Sequence, residues 1–161
     1  MTATIRLRTE PLTQAAFAPF GFVMEAPADG MRTGPLPVIA DTRPAAKVTA
    51  TLIDLPAQRS PRAVRQVERH HHSSQFFLHL AGGGLSLVVF PTAADGQPDT
   101  AHARAFVAAP CQAFGYHPGI WHAGVAALGE PTRVASLLSR DGTPGDVEER
   151  ALPAAIEVDW S

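Results

Sequence analysis

The chain has 161 residues, of which 45% are hydrophobic and 17% are charged, and its formal net charge is −2. This length predicts a single domain spanning residues 1–161, which buries about two thirds of its unfolded surface. Thirteen basic and fifteen acidic side chains leave no basic face, and this balance argues against binding to nucleic acid by counterion release.

The sequence predicts a soluble protein of the cytoplasm that does not associate with membranes. Cys111 is the single cysteine, so no intramolecular disulfide can form, as suits a reducing compartment. The opening residues, MTATIRLRTEPLTQ, lack the apolar region of a signal peptide. No stretch reaches the roughly 18 apolar residues of a membrane helix.

In chain order, the sequence predicts one short helix followed by many short strands. Thr13 caps a helical turn over 14–17, which Pro19 and Gly21 end. A proline- and glycine-rich loop at 26–37 is predicted to be a mobile lid. Strands are predicted at 22–24, 48–55, 64–70, 75–80, 85–90, 104–108, 112–117, 122–128 and 133–139. A polar segment at 141–149 precedes a tail at 151–160, which is expected to pack or to swap.

About ten short strands with regular turn signals predict an all-β fold, a closed antiparallel barrel or a sandwich with one or two short helices. A parallel α/β sheet would need crossover helices that this sequence lacks. The mouth of a small barrel is a natural ligand site.

The first chemical signal is the spacing Glu68-x-His70-x4-Gln75. Residues two apart on a strand share a face, so Glu68 and His70 point the same way. Gln75 joins them if it begins the partner strand after a turn over 71–74. The segment therefore predicts a carboxylate, an imidazole and an amide in one cavity.

The second signal is the segment from Tyr116 to His122. A Pro118-Gly119 turn predicts that His117 and His122 end two adjacent strands close to one another. Trp121 would supply an apolar wall with one N–H donor.

Several of these residues also have a purely structural interpretation. The histidines 70–72 resemble a polar turn, and His79 resembles a hydrogen-bonded barrel histidine. The other structural interpretations are a core position for Trp121, a solvated strand position for Arg104, a surface pair for Arg140 with Asp141, and a solvated turn for 146–150.

The order Glu68-x-His70-x4-Gln75 followed by Gly119-x2-His122 resembles the two cupin motifs. On that pattern Glu68 stands where the first histidine would be and Gln75 where the glutamate would be, whereas His70 and His122 match. The resemblance implies a cupin-like β-barrel.

The sequence most closely resembles the ureidoglycolate lyase family over nearly the whole chain. The motifs that carry this resemblance are Leu12-x4-Phe17-x2-Phe20-Gly21, Glu68-Arg69-His70, Gln75-x-Phe77, Arg104-x-Phe106, Tyr116-His117-x3-Trp121-His122 and Asp146-Val147-Glu148. The chain departs from the family pattern at 28–30, at Asp54 and at 123–124, and a relative that acts on another small hydroxy acid stays an alternative.

The resemblance implies cleavage of ureidoglycolate into glyoxylate and urea, which requires a base, an acid and a group that holds the carboxylate. The candidate base is His70 or Glu68, and the candidate acid is His122 or His117. Residues expected to contact the substrate are Gln75, Arg104, Tyr116, Trp121 and Arg140.

A divalent metal, with nickel or manganese expected first, would bind Glu68, His70 and His122, with Gln75 as a weak fourth ligand. Without a metal, Arg104 or Arg140 would hold the carboxylate instead. No organic cofactor is expected. The protein is expected to form a homodimer. The rival functions are a non-catalytic cupin-type module that binds a small carboxylate, and another metal-dependent cupin enzyme such as an isomerase or a dioxygenase.

Overall fold

The computed structural model describes residues 4–25 and 41–160, so the predicted lid at 26–37 lies outside the described residues. One α-helix, α1, spans Gln14–Phe17, and 3-10 turns span Thr100–His102 and Pro144–Asp146. The strands are β1 Ile5–Pro11, β2 Gly21–Met24, β3 Lys47–Leu55, β4 Ala57–Gln58, β5 Arg62–His70, β6 Gln75–Ala81, β7 Leu85–Phe90, β8 Arg104–Ala108, β9 Ala113–Tyr116, β10 Trp121–His122, β11 Ala126–Leu128, β12 Thr132–Arg140 and β13 Val147–Asp159.

The predicted all-β fold is confirmed, and so is the short helix. The hydroxyl of Thr13 accepts a hydrogen bond from the backbone N–H of Ala16 at 3.2 Å and caps α1. The structure differs from the predicted strands at four places. The strand expected over 122–128 is divided into β10 and β11, and the polar segment over 141–149 contains the start of β13. Strands β1 and β4 lie where the sequence predicts no strand.

Six strands form a closed ring in the order β10, β5, β13, β1, β8 and β7. The ring closes because β10 pairs with both β5 and β7. The sequence predicts a purely antiparallel barrel, and this part of the prediction is wrong. Strand β1 runs parallel to both of its neighbours, β13 and β8. The tail packs within its own chain, where β13 lies between β5 and β1.

A second sheet has the order β2, β9, β6, β12 and β3, with antiparallel pairing throughout. It packs against the outer face of the ring, so the domain has two layers. The space between the layers is the part of the fold that contains the candidate site.

The described residues form three hydrophobic clusters, of which the two larger ones belong to the ring and to the space between the layers, and a smaller one joins Phe22, Phe76 and Ala113. All six ring strands contribute to the first core, inside the ring, whose members include Leu7, Val67, Val88, Ala105, Trp121 and Ile156. The second core lies between the ring and the five-stranded sheet, and its members include Phe17, Phe77, Leu87, Phe106, Phe114 and Val134.

The sequence of β7 reflects its position between these cores. All six residues of Leu85–Phe90 are buried, with Val88 and Phe90 in the ring and Leu87 and Val89 in the interlayer core. A strand covered on both faces has no solvent side to mark with polar residues, so it reads as an almost continuous apolar run.

Among the described residues, none of the helices has the length and apolar character needed to cross a membrane.

Candidate active site

Strands β5 and β10 bring the two histidine segments together. His122 lies directly opposite Glu68 in their antiparallel pair. The turn before β10 reinforces this contact, because the N–H of Gly119 donates to the carbonyl of His70 at 2.6 Å. Gly119 has a φ of 81°, a left-handed conformation that glycine adopts without strain. The predicted meeting of these two distant segments is therefore present in the structure.

Glu68, His70 and His122 form a compact cluster in which one ligand atom from each residue lies within 4.8 Å of the others. Glu68 Oε1 is 3.5 Å from His122 Nε2 and 3.9 Å from His70 Nε2. Both histidines are buried, with exposed fractions of 5% for His70 and 2% for His122. The side chain of Glu68 is 32% exposed, so the carboxylate is the member of the cluster that meets solvent.

The five-stranded sheet supplies Gln75 and Tyr116 from the opposite layer. Gln75 Oε1 lies 3.0 Å from His122 Nε2, and the Gln75 amide donates to Ser136 Oγ at 3.3 Å. The Tyr116 ring stacks on the His122 ring, with 4.1 Å between centroids and 16° between planes. The predicted partner strand and its turn at 71–74 thus position Gln75 beside the cluster.

The hydrogen-bond partners of His122 determine where its protons lie. Nδ1 is 2.9 Å from the backbone oxygen of Ile120, and Nε2 faces the oxygen of Gln75. Both contacts are to oxygen atoms, which accept hydrogen bonds. The carboxylate of Glu68 lies 3.5 Å from Nε2, so this nitrogen faces two acceptors.

The cluster combines an ionised carboxylate with a neutral imidazole. Hydrogen bonding with His122 lowers the pKa of Glu68, and the nearby positive charges lower it further, against the opposing effect of burial. Burial lowers the pKa of His70, the charge of His122 lowers it further, and Glu68 and Asp146 oppose the shift. At neutral pH Glu68 is therefore charged and His70 is neutral.

Three polar atoms in or beside this site are buried without a hydrogen-bond partner among the described residues. They are Nδ1 and Nε2 of His70 and the hydroxyl of Tyr116. Burial raises the pKa of Tyr116 far above its ordinary value of 10, and the charge of Glu68 raises it further, so the phenol stays protonated. Unpaired buried polar groups are costly, so His70 Nε2 and the Tyr116 hydroxyl are candidates for contact with a ligand, whereas Nδ1 lies 3.3 Å from Asp146.

Of the three cluster residues, Glu68 alone lines a cavity of about 180 Å³, together with Gln66, Val67, Gly124 and Glu149. A wider cavity of about 690 Å³ lies along β5 and β13 and shares Gln66 and Gly124 with it. Glu68 therefore connects the buried histidines with the surface.

Three of the residues predicted for the site lie away from the cluster. His117 is exposed on the turn before β10. Trp121 faces the ring interior, fully buried, with its N–H donating to the carbonyl of Gly96. Adjacent strand residues point to opposite faces, so His122 and Trp121 do not line the same cavity. Arg104 forms an ion pair with Glu10 at 2.8 Å.

Arg140 lies at the end of β12, exposed, and none of the described ion pairs includes it. Its positive charge contributes to the lowered pKa of Glu68. The expected ion pair between Arg140 and Asp141 is not among the described ion pairs. Asp141 instead pairs with Arg43 at 2.9 Å.

The three consecutive histidines point in different directions. His70 enters the cluster, His71 lies 2.7 Å from Glu148, and His72 hydrogen bonds to Thr42. His79 contacts the carbonyl oxygen of Gly83 through Nε2 at 2.8 Å, which agrees with the structural interpretation of this residue.

Asp146 is a residue beside the cluster that the sequence does not reveal, because the pattern of 146–150 predicts a solvated turn. Asp146 is only 4% exposed, and its Oδ2 lies 3.3 Å from His70 Nδ1. Nothing in the segment Gly145-Asp146-Val147 separates a buried aspartate from an exposed one, since the burial comes from the turn at 71–74 packing on it.

The fold and the cluster define a β-barrel protein of the cupin type with a carboxylate and two imidazoles at its centre. The structure is similar to a dTDP sugar isomerase from Desulfovibrio desulfuricans G20, with a TM-score of 0.52 and 15% sequence identity over 81% of this chain and 82% of that chain. At this identity the likeness concerns the fold alone.

Sequence comparison identifies the family. Residues 4–159 match the family described as ureidoglycolate lyase. The ureidoglycolate lyase of Pseudomonas entomophila is 32% identical over 91% of this chain and 92% of its own length. That of Mesorhizobium japonicum is 30% identical over 95% of this chain and 97% of its own length. The chain belongs to the ureidoglycolate lyase family.

Proposed function

We propose that this protein cleaves ureidoglycolate into glyoxylate and urea by general acid and base catalysis. The observation that carries the proposal is the cluster of Glu68, His70 and His122, whose functional atoms lie within 4.8 Å of one another between the two layers. Membership in the ureidoglycolate lyase family supports the choice of substrate.

The reaction requires two proton transfers and no strong nucleophile. A base removes the proton of the hydroxyl group, and the electrons of that O–H bond form the carbonyl of glyoxylate. The carbon–nitrogen bond breaks, its electrons stay on nitrogen, and an acid delivers a proton to the departing urea. Positioned acid and base groups each contribute about 10²- to 10⁴-fold to such a step.

The hydrogen-bond geometry supports His122 as the acid and His70 as the base. His122 Nε2 lies 3.0 Å from the oxygen of Gln75 and 3.5 Å from Glu68, two acceptors that favour a proton on this nitrogen, whereas His70 is neutral and offers a lone pair. Glu68 stabilises the imidazolium of His122 through its negative charge. His117 is exposed and outside the cluster, so it has no part in this mechanism.

Two further residues suit contacts with the substrate. The buried hydroxyl of Tyr116 offers a neutral hydrogen-bond donor. Arg140 offers a guanidinium that no ion pair among the described residues occupies, and a guanidinium binds carboxylates through two parallel hydrogen bonds. Gln75 orients His122 through its amide oxygen.

The cluster also fits a divalent metal. Ligand atoms at roughly 2.0–2.2 Å from one metal lie about 3–3.5 Å apart, and the distances of 3.5 and 3.9 Å from Glu68 Oε1 approach that spacing. Both nitrogens of His70 lack a hydrogen-bond partner among the described residues. We propose nickel or manganese on Glu68, His70 and His122, with Gln75 beside it, as the alternative to a proton on His122 Nε2, because one nitrogen cannot hold both. When bound, such an ion would lower the pKa of the substrate hydroxyl.

The test is direct. Purified protein is incubated with racemic ureidoglycolate, with and without EDTA, while glyoxylate is measured. Enantioselective release above the spontaneous rate is expected. Release at the spontaneous rate would contradict the lyase and favour a binding module for small carboxylates. Loss of activity in EDTA, restored by added nickel or manganese, would establish the metal.

We also propose that the protein acts in the cytoplasm as a homodimer. Strand β3 is an edge of the five-stranded sheet among the described strands, and Val48 and Leu52 are exposed on its outer face, with Leu80 on the same sheet. Exposed apolar edges of this kind favour association. Light scattering on the purified protein measures the oligomeric state.

A further inference from the structure

We infer that Asp146 is a positioning residue that holds the proton of His70 on Nδ1 and leaves the Nε2 lone pair facing Glu68 and His122. This inference rests on the proposed role of His70 as a base or metal ligand. It assigns a task to a carboxylate that belongs to a different segment of chain from the three members of the cluster.

The position of Asp146 relative to His70 is the first argument. Oδ2 lies 3.3 Å from His70 Nδ1, on the side of the ring away from Glu68. Both side chains are buried, with 6% exposure each. The contact is longer and less aligned than a full hydrogen bond. Contacts of this kind in active sites tighten when substrate binds.

The second argument is that Asp146 cannot turn away. Its Oδ1 accepts hydrogen bonds from the backbone N–H groups of His72 at 2.8 Å and Ser73 at 3.2 Å. Its Oδ2 accepts from the hydroxyl of Ser73 at 2.5 Å. The backbone oxygen of Asp146 also accepts from the N–H of His71 at 2.8 Å. These bonds fix the carboxylate directly behind the histidine ring.

The third argument is the charge around Asp146. Burial alone would raise its pKa, but hydrogen bonds from Ser73 and His72 and the proximity of His70 lower it instead. The guanidinium of Arg43 lies 3.6 Å from Oδ2 and also binds Asp41 and Asp141. Asp146 is therefore an ionised group, which accepts hydrogen bonds and cannot donate them.

These facts determine the tautomer of His70. A neutral imidazole has one N–H, and the hydrogen bond at one nitrogen decides which nitrogen carries it. The ionised carboxylate beside Nδ1 favours the proton there. Nε2 then presents its lone pair to the 3.9 Å gap before Glu68 Oε1, where a substrate hydroxyl or a cation fits. Carboxylates behind metal-binding or catalytic histidines have this effect in other proteins.

A purely structural role predicts something different. If Asp146 only anchors the turn at 71–74, an asparagine should preserve most of that role, because its Oδ1 still accepts from His72 and Ser73. The same asparagine would turn an N–H₂ donor toward His70 Nδ1. The structure therefore predicts that Asp146→Asn moves the His70 proton to Nε2 while the fold remains.

The experiment measures that proton directly. Full-length protein with ¹⁵N-labelled histidine is studied by NMR in buffer with EDTA, which keeps cations off Nε2. Wild-type His70, assigned by its loss in His70→Gln, is expected as the Nδ1–H tautomer, and Asp146→Asn as the Nε2–H tautomer. Glu148→Gln is the matched control, because Glu148 contacts His71 rather than His70, and it should leave the His70 tautomer unchanged.

Activity provides the second measurement. We expect kcat of Asp146→Asn to fall by about 10- to 100-fold, the usual effect of losing such a partner, with KM nearly unchanged. An unchanged His70 tautomer in Asp146→Asn would overturn the inference. If that variant does not fold, the wild-type spectrum still tests the inference, because an Nε2–H tautomer of His70 in the wild-type protein would also overturn it. A switched tautomer with unchanged kcat would support the positioning role and instead refute His70 as the base.

Discussion

His122 lies directly across from Glu68 in the pairing of β10 with β5, and their side chains meet at 3.5 Å between Nε2 and Oε1. Fifty-three positions of the chain separate these residues (122 − 68 − 1 = 53), and the closure of the six-stranded ring brings them together. The proposed chemistry depends on this contact.

The first prediction concerns the proposed acid. His122→Ala is expected to lower kcat by at least about 100-fold, because the proton for the departing urea is lost. Glyoxylate release measures this effect, and circular dichroism checks that the fold is intact. His117→Ala is the control, since His117 is exposed on the adjacent turn. Equal rates in the two variants would remove His122 from the mechanism.

The second prediction concerns Glu68, the member of the cluster that meets solvent. Glu68→Gln keeps the shape of the side chain and removes the negative charge that stabilises His122. We expect kcat/KM to fall on the order of 100-fold and the affinity for nickel or manganese, measured by calorimetry, to weaken. Glu130, exposed in the loop before β12 and outside the cavity beside Glu68, provides the control variant Glu130→Gln. A loss of the same size there would indicate a general effect of surface charge.

The third prediction separates two arginines. Arg140→Met should raise KM for ureidoglycolate by roughly 10- to 100-fold, the equivalent of losing a charged hydrogen bond of about 1.5–3 kcal/mol. Its kcat should change little, because Arg140 is not part of the acid–base pair. Arg104→Met should leave KM unchanged, since Arg104 is engaged with Glu10. A raised KM in Arg104→Met together with an unchanged KM in Arg140→Met would show that Arg104 binds the substrate carboxylate instead.

Much of the fold could be predicted because its signals are local. The spacing of Glu68 and His70, the turn at 71–74 and the apolar run of β7 are all visible within a few residues. The parallel pairing of β1 with β13 and β8 was missed, because no local pattern reports which distant strand lies alongside.

The site was predictable in part for the same reason. Glu68, His70, Gln75 and His122 follow from strand periodicity and from the resemblance. The prediction that Trp121 lines the site is wrong. Side chains alternate along a strand, so His122 faces the cluster and the preceding residue, Trp121, points into the ring. Asp146 was missed because its burial depends on a segment more than seventy residues earlier (146 − 73 = 73).

The fourth prediction concerns acid stability. Hydrogen bonding to Arg43 lowers the pKa of Asp41, and hydrogen bonding to Thr143 lowers that of Asp141, each below the ordinary 3.8. A carboxyl group whose pKa is lower in the folded protein stabilises the fold above its unfolded pKa, and this stabilisation is lost as pH falls through the folded value. We therefore expect the free energy of unfolding to decline below about pH 4.

Arg43→Met tests the origin of that decline. Urea titrations from pH 3 to 7 should give a flatter pH dependence in this variant, because Asp41 loses its main partner. Lys47→Met removes a nearby positive charge that belongs to none of the described ion pairs, and its profile should follow the wild type. Identical slopes in Arg43→Met and wild type would contradict the assignment.

The fifth prediction tests the turn that joins the histidine segments. Gly119 has a φ of 81°, and a Cβ added there meets no atom within 4 Å, so the backbone conformation is the main cost of a side chain. Gly119→Ala should therefore lower the free energy of unfolding by about 1–2 kcal/mol and reduce activity, because the bond from Gly119 to His70 positions the cluster.

Gly124 provides a matched comparison for that turn. A Cβ at Gly124 also meets no atom within 4 Å, but this glycine is not among those with a positive φ. Gly124→Ala should therefore leave stability unchanged or raise it slightly by restricting the unfolded chain. Chemical denaturation of both variants measures the difference. Equal stabilities would mean that the left-handed conformation of Gly119 contributes nothing to holding His70 against β10.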